Sequence, residues 1–226
     1  MTKEVSVALL IVLDVDGTLT KVRSSWQYLH ERLGIWQGKA EHYQESFKRG
    51  EISYREFCIL DGKLWEGIPV DDVMRITGEI DYREGVDAFF KALRHRSRRF
   101  ALVSTGLSFV VNRVKRDFDA DFAFSNHLVD DGKYLTGDVE VDVDWDDKVK
   151  IVRRLKKELG IAREEVAVFG DSDGDIGMFQ AGGFCVAVEP TSDLLREKAH
   201  LVLDEESLEV GARHIIDREE KKCTGI

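Results

Sequence analysis

A pair of carboxylates near the start of the chain has the spacing needed for acid–base or metal chemistry. Asp14 and Asp16 belong to the segment D-V-D-G-T-L-T and stand two residues apart, so both point to the same side where the backbone is extended. One member of such a pair can stay ionised as a nucleophile or metal ligand while the other donates and accepts protons. An acidic turn that caps the next element is the simpler interpretation of this segment taken alone.

A second acidic segment, G-D-S-D-G-D, spans residues 170–175. It also follows an apolar run, so Asp171 is predicted to lie at the same edge of a sheet as Asp14. Carboxylates gathered in this way repel one another unless a hard cation neutralises them, and Mg²⁺ suits a site of carboxylates, a carbonyl, water and a phosphate oxygen. A calcium-binding EF-hand loop is excluded, because its twelfth position requires Glu and is occupied by Gly182.

Two further features fit a site for the phosphate group of a small phosphorylated metabolite. Ser104, Thr105 and Gly106 stand between a predicted strand and a predicted helix, where hydroxyl and N–H groups can bind an anion. Lys148 opens another predicted helix and can supply local positive charge. Such charge is needed because 33 Lys and Arg face 43 Asp and Glu, a net charge of −10. The same balance argues against nucleic acid or an anionic membrane surface as the main partner.

The order of the predicted elements indicates how these residues come together. Continuous apolar runs, typical of strands buried on both faces of a parallel sheet, cover residues 8–13, 100–103, 122–124, 166–169 and 184–188. Patterns typical of helices cover residues 83–95, 107–117, 148–159 and 176–181. Strand-like runs at residues 123–129 and 134–141 predict a β-hairpin. The alternation predicts an α/β fold with a doubly wound, Rossmann-like parallel sheet, whose ligand site lies beyond the carboxyl ends of the strands.

The chain of 226 residues is longer than one compact domain needs, and one stretch interrupts the alternation. Residues 21–82 have the pattern of consecutive amphipathic helices, so we predict a helical cap inserted into a core formed by residues 1–20 and 83–226. Ser24 is predicted to cap the first cap helix, and Ser53 opens a capping box. Three of the four tryptophans fall in this stretch and are predicted to form its core: Trp26, Trp36 and Trp65.

Cysteine usage and the first apolar run indicate the compartment. The cysteines at positions 58, 185 and 223 are far apart and odd in number, with no spacing suited to zinc. The apolar run at residues 5–13 is too short for a membrane span. We therefore predict a cytoplasmic protein in a reducing environment, without a membrane partner, that acts as a monomer or homodimer.

Taken together and in this order, the segments resemble the haloacid dehalogenase-like superfamily of aspartate-nucleophile phosphatases, and the resemblance covers nearly the whole chain. D-V-D-G-T is similar to the first motif of that superfamily, V-S-T-G to the second, Lys148 to the third and G-D-S-D-G-D to the fourth. The helical insertion, the hairpin region at residues 126–139 and the K-A-H-L-V-L tail are most similar to the phosphoserine phosphatase group.

The resemblance implies a role for each acidic residue. Asp14 attacks phosphorus and forms an aspartyl-phosphate, which divides hydrolysis into two displacements. Asp16 protonates the leaving alcohol and then activates water. Mg²⁺ is held by Asp14, the backbone carbonyl of Asp16 and Asp171, while Asp175 orients the site from nearby.

The implied activity is the Mg²⁺-dependent hydrolysis of a small phosphomonoester. Ser104 and Lys148 bind the transferring phosphoryl group and offset its charge, beside Thr105 and Gly106. A phosphotransferase or mutase shares the same motifs and uses an alcohol in place of water. A non-catalytic binding protein is a third alternative, which the intact motif residues disfavour.

Departures from the pattern of the superfamily concern the substrate. In phosphoserine phosphatases a cap carboxylate and a cap arginine hold the amino acid, and here these positions fall near Arg23 or Ser24 and near Asp61. Neither position keeps the expected charge, so specificity for phosphoserine is doubtful. Arg23 and Asp61 are candidates for substrate recognition or, alternatively, for a salt bridge with each other. Gly174 replaces the usual Asn of the fourth motif, and Thr105 replaces a glycine of the second.

Overall fold

A seven-stranded sheet organises the residues that the computed structural model describes, 10–94 and 97–224. In chain order its strands are β1 Leu10–Leu13, β2 Arg99–Leu107, β3 Phe122–Asp130, β4 Leu135–Glu140, β5 Val166–Gly170, β6 Phe184–Val188 and β7 Leu201–Leu203. Their order across the sheet is β4-β3-β2-β1-β5-β6-β7. Neighbouring strands are parallel except β3 and β4, which form the predicted antiparallel hairpin at one edge.

Helices cover both faces of the sheet. In chain order they are α1 Ser25–Arg32, α2 Glu41–Lys48, α3 Tyr54–Lys63, α4 Val70–Gly78, α5 Val86–Leu93, α6 Ser108–Phe118, α7 Lys148–Leu159, α8 Ile176–Ala181, α9 Asp193–Lys198 and α10 Glu209–Thr224. Ile11 and Leu13 of β1 pack into one apolar cluster with side chains of α5, α6 and α10. Leu10 and Val12 pack into another with α7, α8 and α9. Burial on both faces explains the continuous apolar run of β1, and the predicted doubly wound α/β fold is confirmed.

The central position of β1 determines where a ligand site can form. β1 pairs with β2 on one side and with β5 on the other, so that Leu13 lies beside both Leu102 and Phe169. The connection after β1 leads to β2 on one side, and the connection after β5 leads to β6 on the other. Connections that lead away in opposite directions open a crevice beyond the carboxyl ends of these central strands. The residues that follow β1 and β5 and those at the end of β2 meet at this edge.

Four helices, α1 to α4, occupy the segment predicted to be the cap. The side chains of Ser24 and Ser53 cap α1 and α3, as predicted. Trp26 and Trp65 are buried and stack with ring centroids 5.4 Å apart, which confirms both as part of the cap core. Trp36 is only partly buried.

The two ends of the cap segment meet at one place. Thr20 and Tyr82 form an isolated antiparallel bridge, and the amide of Lys21 donates to the carbonyl of Asp81 at 3.0 Å. The chain thus leaves the core and returns to it at adjacent positions, as an insertion requires. The domain boundaries themselves stay a prediction.

The helix predicted over residues 83–95 was placed too early. It begins at Val86, because Gly85 has a φ of 80° and starts the helix from a left-handed turn. Residue 95, like residues 8 and 9 of the first predicted strand, lies outside the described residues.

The second predicted strand was too short. β2 continues from residue 103 to Leu107, after a shift in its register with β3. Ser104, Thr105 and Gly106 therefore belong to the last part of the strand rather than to a loop after it. α9, α10 and β7 were not predicted from the sequence, and α2 was not predicted as a separate helix of the cap. Within the described residues, no helix combines the length and the apolar character needed to cross a membrane.

Candidate active site

The two acidic segments meet at the carboxyl edge of the sheet, as predicted. Asp14 directly follows β1 and Asp171 directly follows β5. The amide of Asp14 donates to the carbonyl of Phe169 at 3.0 Å, so the end of β1 is tied to the end of β5. The hydroxyl of Thr18 lies 3.4 Å from a carboxylate oxygen of Asp14 and 3.4 Å from one of Asp171.

A glycine lets the first motif turn against Asp171. Gly17 has a φ of 78°, which L-residues with a side chain rarely adopt. A Cβ at this position would lie 2.3 Å from Oδ2 of Asp171. The turn therefore requires glycine both for its backbone conformation and for the close approach of the carboxylate.

Lys148 sits between two of the carboxylates. It is the first residue of α7 and is buried, and its Nζ lies 2.7 Å from Oδ1 of Asp14 and 2.7 Å from Oδ1 of Asp175. The other oxygen of Asp175 accepts hydrogen bonds from the amides of Asp171 and Ser172. Asp175 thus contacts both Lys148 and the turn after β5, and its role in catalysis stays a prediction.

One lysine does not neutralise the carboxylates gathered here. Oxygens of Asp14, Asp171 and Asp175 all lie within 4.8 Å of one another. Burial raises the pKa of Asp14 to about 7, with Lys148 opposing the rise and Asp175 adding to it. Burial, followed by the charges of Asp14 and Asp175, also raises the pKa of Asp171 well above its ordinary value. The donor set and its excess negative charge fit a hard divalent cation such as Mg²⁺.

One carboxylate oxygen of Asp16 accepts a hydrogen bond and the other does not. Its Oδ2 accepts a hydrogen bond of 2.6 Å from the amide of Ser25, whereas Oδ1 is buried and has no hydrogen-bond partner among the described residues. Burial raises the pKa of the Asp16 carboxyl, although the bonds from Ser25 oppose this. A carboxyl group with a raised pKa and one free oxygen can take up and release a proton. The side chain of Asp16 is not part of the cluster of possible metal ligands formed by Asp14, Asp171 and Asp175.

The second motif approaches Asp16 closely. Ser104 is buried, and its Oγ accepts a hydrogen bond of 3.0 Å from the amide of Gly106. A Cβ on Gly106 would lie 2.6 Å from Oδ2 of Asp16 and 2.8 Å from Oγ of Ser25. The structure therefore brings Ser104, Gly106 and Asp16 together, and the predicted binding of a phosphoryl group there stays a prediction.

A model of the haloacid dehalogenase-like hydrolase family matches residues 11–180, which include every motif described above. The chain belongs to this family.

Two relatives and one solved structure that are similar to this chain are phosphoserine phosphatases. Phosphoserine phosphatase of Methanocaldococcus jannaschii is 30% identical over 201 residues, which cover 88% of this chain and 93% of that protein. Phosphoserine phosphatase of Archaeoglobus fulgidus is 29% identical over 200 residues, and the match spans only 57% of that protein. A solved phospho-aspartyl intermediate analogue of phosphoserine phosphatase is 28% identical with a TM-score of 0.77, covering 92% of this chain and 97% of that one. The predicted class, a phosphoric monoester hydrolase of the phosphoserine phosphatase-like group, is confirmed.

The two substrate candidates of this hydrolase do not pair with each other, so the alternative of a salt bridge between them is wrong. Nη1 of Arg23 lies 3.1 Å from Oδ2 of Asp171, and the same guanidinium reaches the carbonyl and the carboxylate of Glu189. Asp61 is buried inside the cap, where its Oδ2 lies 3.2 Å from Nε2 of His30. The two side chains have different partners because they extend in different directions. Arg23 extends towards the residues that follow β5 and β6, whereas Asp61 of α3 faces α1.

Several residues that shape the site were not predicted from the sequence. Arg83 donates to the carbonyl of Gly17 at 2.7 Å and forms an ion pair with Glu189. Glu189 has a φ of 40°, in the left-handed region that non-glycine residues seldom occupy. Its position directly after β6 is a signal that could have pointed to Glu189, because ligand sites of such sheets lie at that edge. Arg83 and Ser25 have no comparable sequence signal.

Proposed function

We propose that this hydrolase removes the phosphoryl group from a small phosphomonoester, with Mg²⁺, through an aspartyl-phosphate on Asp14. The observation that supports this most directly is the position of Lys148, whose Nζ lies 2.7 Å from a carboxylate oxygen of Asp14 at the carboxyl edge of the sheet. A nucleophile and a buried cation side by side are what transfer of a phosphoryl group requires. The membership of the chain in a hydrolase family agrees with this assignment.

In the first half of the reaction, a carboxylate oxygen of Asp14 attacks phosphorus and the bond from phosphorus to the alcohol oxygen breaks. The proton that the leaving alcohol needs comes from Asp16, whose raised pKa and free Oδ1 suit a donor. The products of this step are the alcohol and an aspartyl-phosphate on Asp14.

In the second half, a water molecule attacks the phosphorus of the aspartyl-phosphate. Asp16, now ionised, takes one proton from that water, and the bond between phosphorus and the Asp14 oxygen breaks. Inorganic phosphate leaves, and both carboxyl groups return to their starting states. Asp16 thus serves as acid and base in turn.

Other residues bind and neutralise the phosphoryl group. Lys148 and the hydroxyl of Ser104 offset its negative charge, and Asp175 keeps Lys148 in place. Bound Mg²⁺, held by Asp14, Asp171 and the backbone carbonyl of Asp16, would neutralise charge on the transferring oxygens. The helices of the cap exclude bulk water from the crevice.

The residues that would select the substrate differ in their suitability. Arg23 places a cation at the mouth of the site, which favours an ester that carries a second acidic group. Asp61 is engaged with His30 inside the cap, so it is a poor candidate for recognition of a substrate. The relatives are phosphoserine phosphatases, and phosphoserine carries a carboxylate, so it belongs to the class of esters that Arg23 would favour.

The proposed activity is tested with p-nitrophenyl phosphate and Mg²⁺. Phosphate release is expected in the wild-type protein and not in Asp14→Asn, while Asp146→Asn, the same change at an exposed residue, should retain it. Asp16→Asn should accumulate the aspartyl-phosphate, visible by mass spectrometry as one phosphoryl group on the peptide containing Asp14. Undiminished release in Asp14→Asn would refute the nucleophile, and transfer of phosphate to an added alcohol would favour the phosphotransferase.

A further inference from the structure

A single backbone carbonyl receives hydrogen bonds from both the cap and the core. The carbonyl oxygen of Thr105 accepts from Nε1 of Trp26 at 3.0 Å, from the hydroxyl of Tyr54 at 2.6 Å and from Nδ2 of Asn126 at 3.0 Å. A carbonyl oxygen has two lone pairs, so three donors saturate this acceptor. Two of the donors belong to cap helices, α1 and α3, and the third belongs to β3 of the core.

The three donors are fixed in place. Asn126 is fully buried, and its Oδ1 accepts from the amides of Asp142 and Val143, which determines the direction of its Nδ2. Nδ2 also donates to the hydroxyl of Tyr54 at 3.2 Å. Burial raises the pKa of the Tyr54 phenol well above its ordinary value, so the hydroxyl keeps its proton and acts as a donor to Thr105.

The other side of the same peptide group faces the phosphoryl site. The peptide that contains the carbonyl of Thr105 also contains the N–H of Gly106, and this N–H donates to Oγ of Ser104 at 3.0 Å. Donors on a carbonyl polarise the peptide and strengthen its N–H as a donor. The bond to Oγ occupies a lone pair of Ser104, so the hydroxyl proton of Ser104 is directed elsewhere and is available to a phosphoryl oxygen.

We propose that Tyr54 and Trp26 are positioning residues that couple closure of the cap to binding of the phosphoryl group. When α1 and α3 lie on the core, their two donors hold the peptide between Thr105 and Gly106, and this peptide orients the hydroxyl of Ser104. An open cap withdraws both donors and leaves only that of Asn126. The inference rests on the proposed function, because it assigns Ser104 to the transferring phosphoryl group.

A purely structural role for Tyr54 would give a different dependence of activity on Ser104. If its bond to Thr105 only attached the cap to the core, its loss would lower activity by the same factor whether or not Ser104 carries a hydroxyl. If the bond acts through Ser104, its loss should matter only while that hydroxyl is present. A double-mutant cycle between the two residues separates these cases.

The cycle consists of the wild type, Tyr54→Phe, Ser104→Ala and the double variant, assayed with p-nitrophenyl phosphate and Mg²⁺. Tyr54→Phe keeps the ring and removes one donor, so we expect kcat/KM to fall about 3- to 10-fold. In the Ser104→Ala background the same change should cause little or no further loss. Equal losses in both backgrounds, no loss in the wild-type background, or no effect of Ser104→Ala would overturn the inference.

Two controls keep this test separate from the proposed function and from folding. Phe57→Leu perturbs the ring cluster around Trp26 and Tyr54 without removing a bond to Thr105, and its effect should be the same in both Ser104 backgrounds. Binding of inorganic phosphate in the presence of Mg²⁺, measured by calorimetry on the four proteins, needs no turnover and should give the same coupling. If the wild-type protein does not hydrolyse esters, the proposed function fails while phosphate binding still decides the inference. If Tyr54→Phe does not fold, Trp26→Phe takes its place in the cycle.

Discussion

Nη1 of Arg23 lies 3.1 Å from Oδ2 of Asp171, so a residue near the start of the cap places a permanent positive charge at the predicted metal ligand. The Arg23 side chain is 46% exposed, whereas that of Asp171 is 3% exposed. The guanidinium therefore lies between the buried Asp171 and the solvent, with part of its surface accessible to a substrate. A substrate group that lies there meets a cation.

We expect Arg23 to select esters by charge. The wild-type protein should prefer phosphoglycolate, which carries a carboxylate, over phosphoethanolamine, which carries an ammonium group. Arg23→Glu reverses the local charge and should change the ratio of the two kcat/KM values by roughly tenfold or more towards phosphoethanolamine. Arg23→Lys keeps the charge and should keep the preference.

The control for this prediction is Arg116→Glu, which makes the same change in net charge in the last turn of α6. It should leave the ratio unchanged. An Arg23→Glu protein with wild-type selectivity would show that Arg23 pairs with Asp171 and Glu189 without contacting the substrate.

Asp61 should matter for the stability of the cap rather than for selectivity. Nε1 of Trp65 donates to Nδ1 of His30 at 3.1 Å, which leaves the proton of the imidazole on Nε2, facing Asp61. Asp61→Ala removes the carboxylate that lies 3.2 Å from the buried Nε2 of His30. It should lower the free energy of unfolding by about 1–3 kcal/mol, as measured by urea denaturation. Asp72→Ala, which breaks an exposed pair with Arg75, should cost less than about 1 kcal/mol. A changed preference between the two esters with unchanged stability would place Asp61 at the substrate instead.

Gly106 should be intolerant of any side chain. Gly106→Ala puts a methyl group 2.6 Å from Oδ2 of Asp16, so Asp16 must move away from the reacting oxygen. A displacement of this size at a catalytic group lowers kcat by about 10- to 100-fold. Gly78→Ala is the matched control, because a Cβ there has no atom within 4 Å. Full activity in Gly106→Ala would mean that the proton transfer does not depend on the observed position of Asp16.

Metal-free protein should lose stability as the pH rises towards neutrality. The pKa of Asp14 is about 7 in the folded protein against an ordinary value of 3.8, so the folded state binds this proton more tightly than the unfolded state does. The free energy of unfolding therefore falls as the pH rises through that interval. Mg²⁺ is proposed to bind the ionised carboxylate, so we expect added Mg²⁺ to restore the lost stability. Thermal melts with and without a chelator will measure this difference.

Asp14→Asn is the control for the pH dependence, because asparagine does not titrate. Its metal-free melting temperature should fall less between pH 4 and pH 7 than that of the wild type. Identical profiles for the two proteins would mean that Asp14 does not carry the effect.

The position of the candidate site in the fold was predictable from local sequence. Asp14 and Asp171 each follow an apolar run, and parallel strands bring their carboxyl ends to one edge whatever the details of packing. Lys148 was predictable for a similar reason, since it opens α7 at its predicted first residue. Spacing and periodicity are local properties, and they were sufficient for these residues.

Only the tertiary structure decided which partners the cap residues take. Arg23 pairs with Asp171 rather than with Asp61, and Asp61 turns to His30, because the packing of α1 against α3 determines which side chains face each other. The carbonyl of Thr105 receives donors from three elements that are far apart in the chain. A hydrogen bond requires its two atoms to meet within a few tenths of an ångström and in the right direction. No residue spacing specifies such a meeting between distant segments. The sequence alone therefore determined which candidate residues lie at the edge of the sheet, and the packing of the cap on the core decided how they are held.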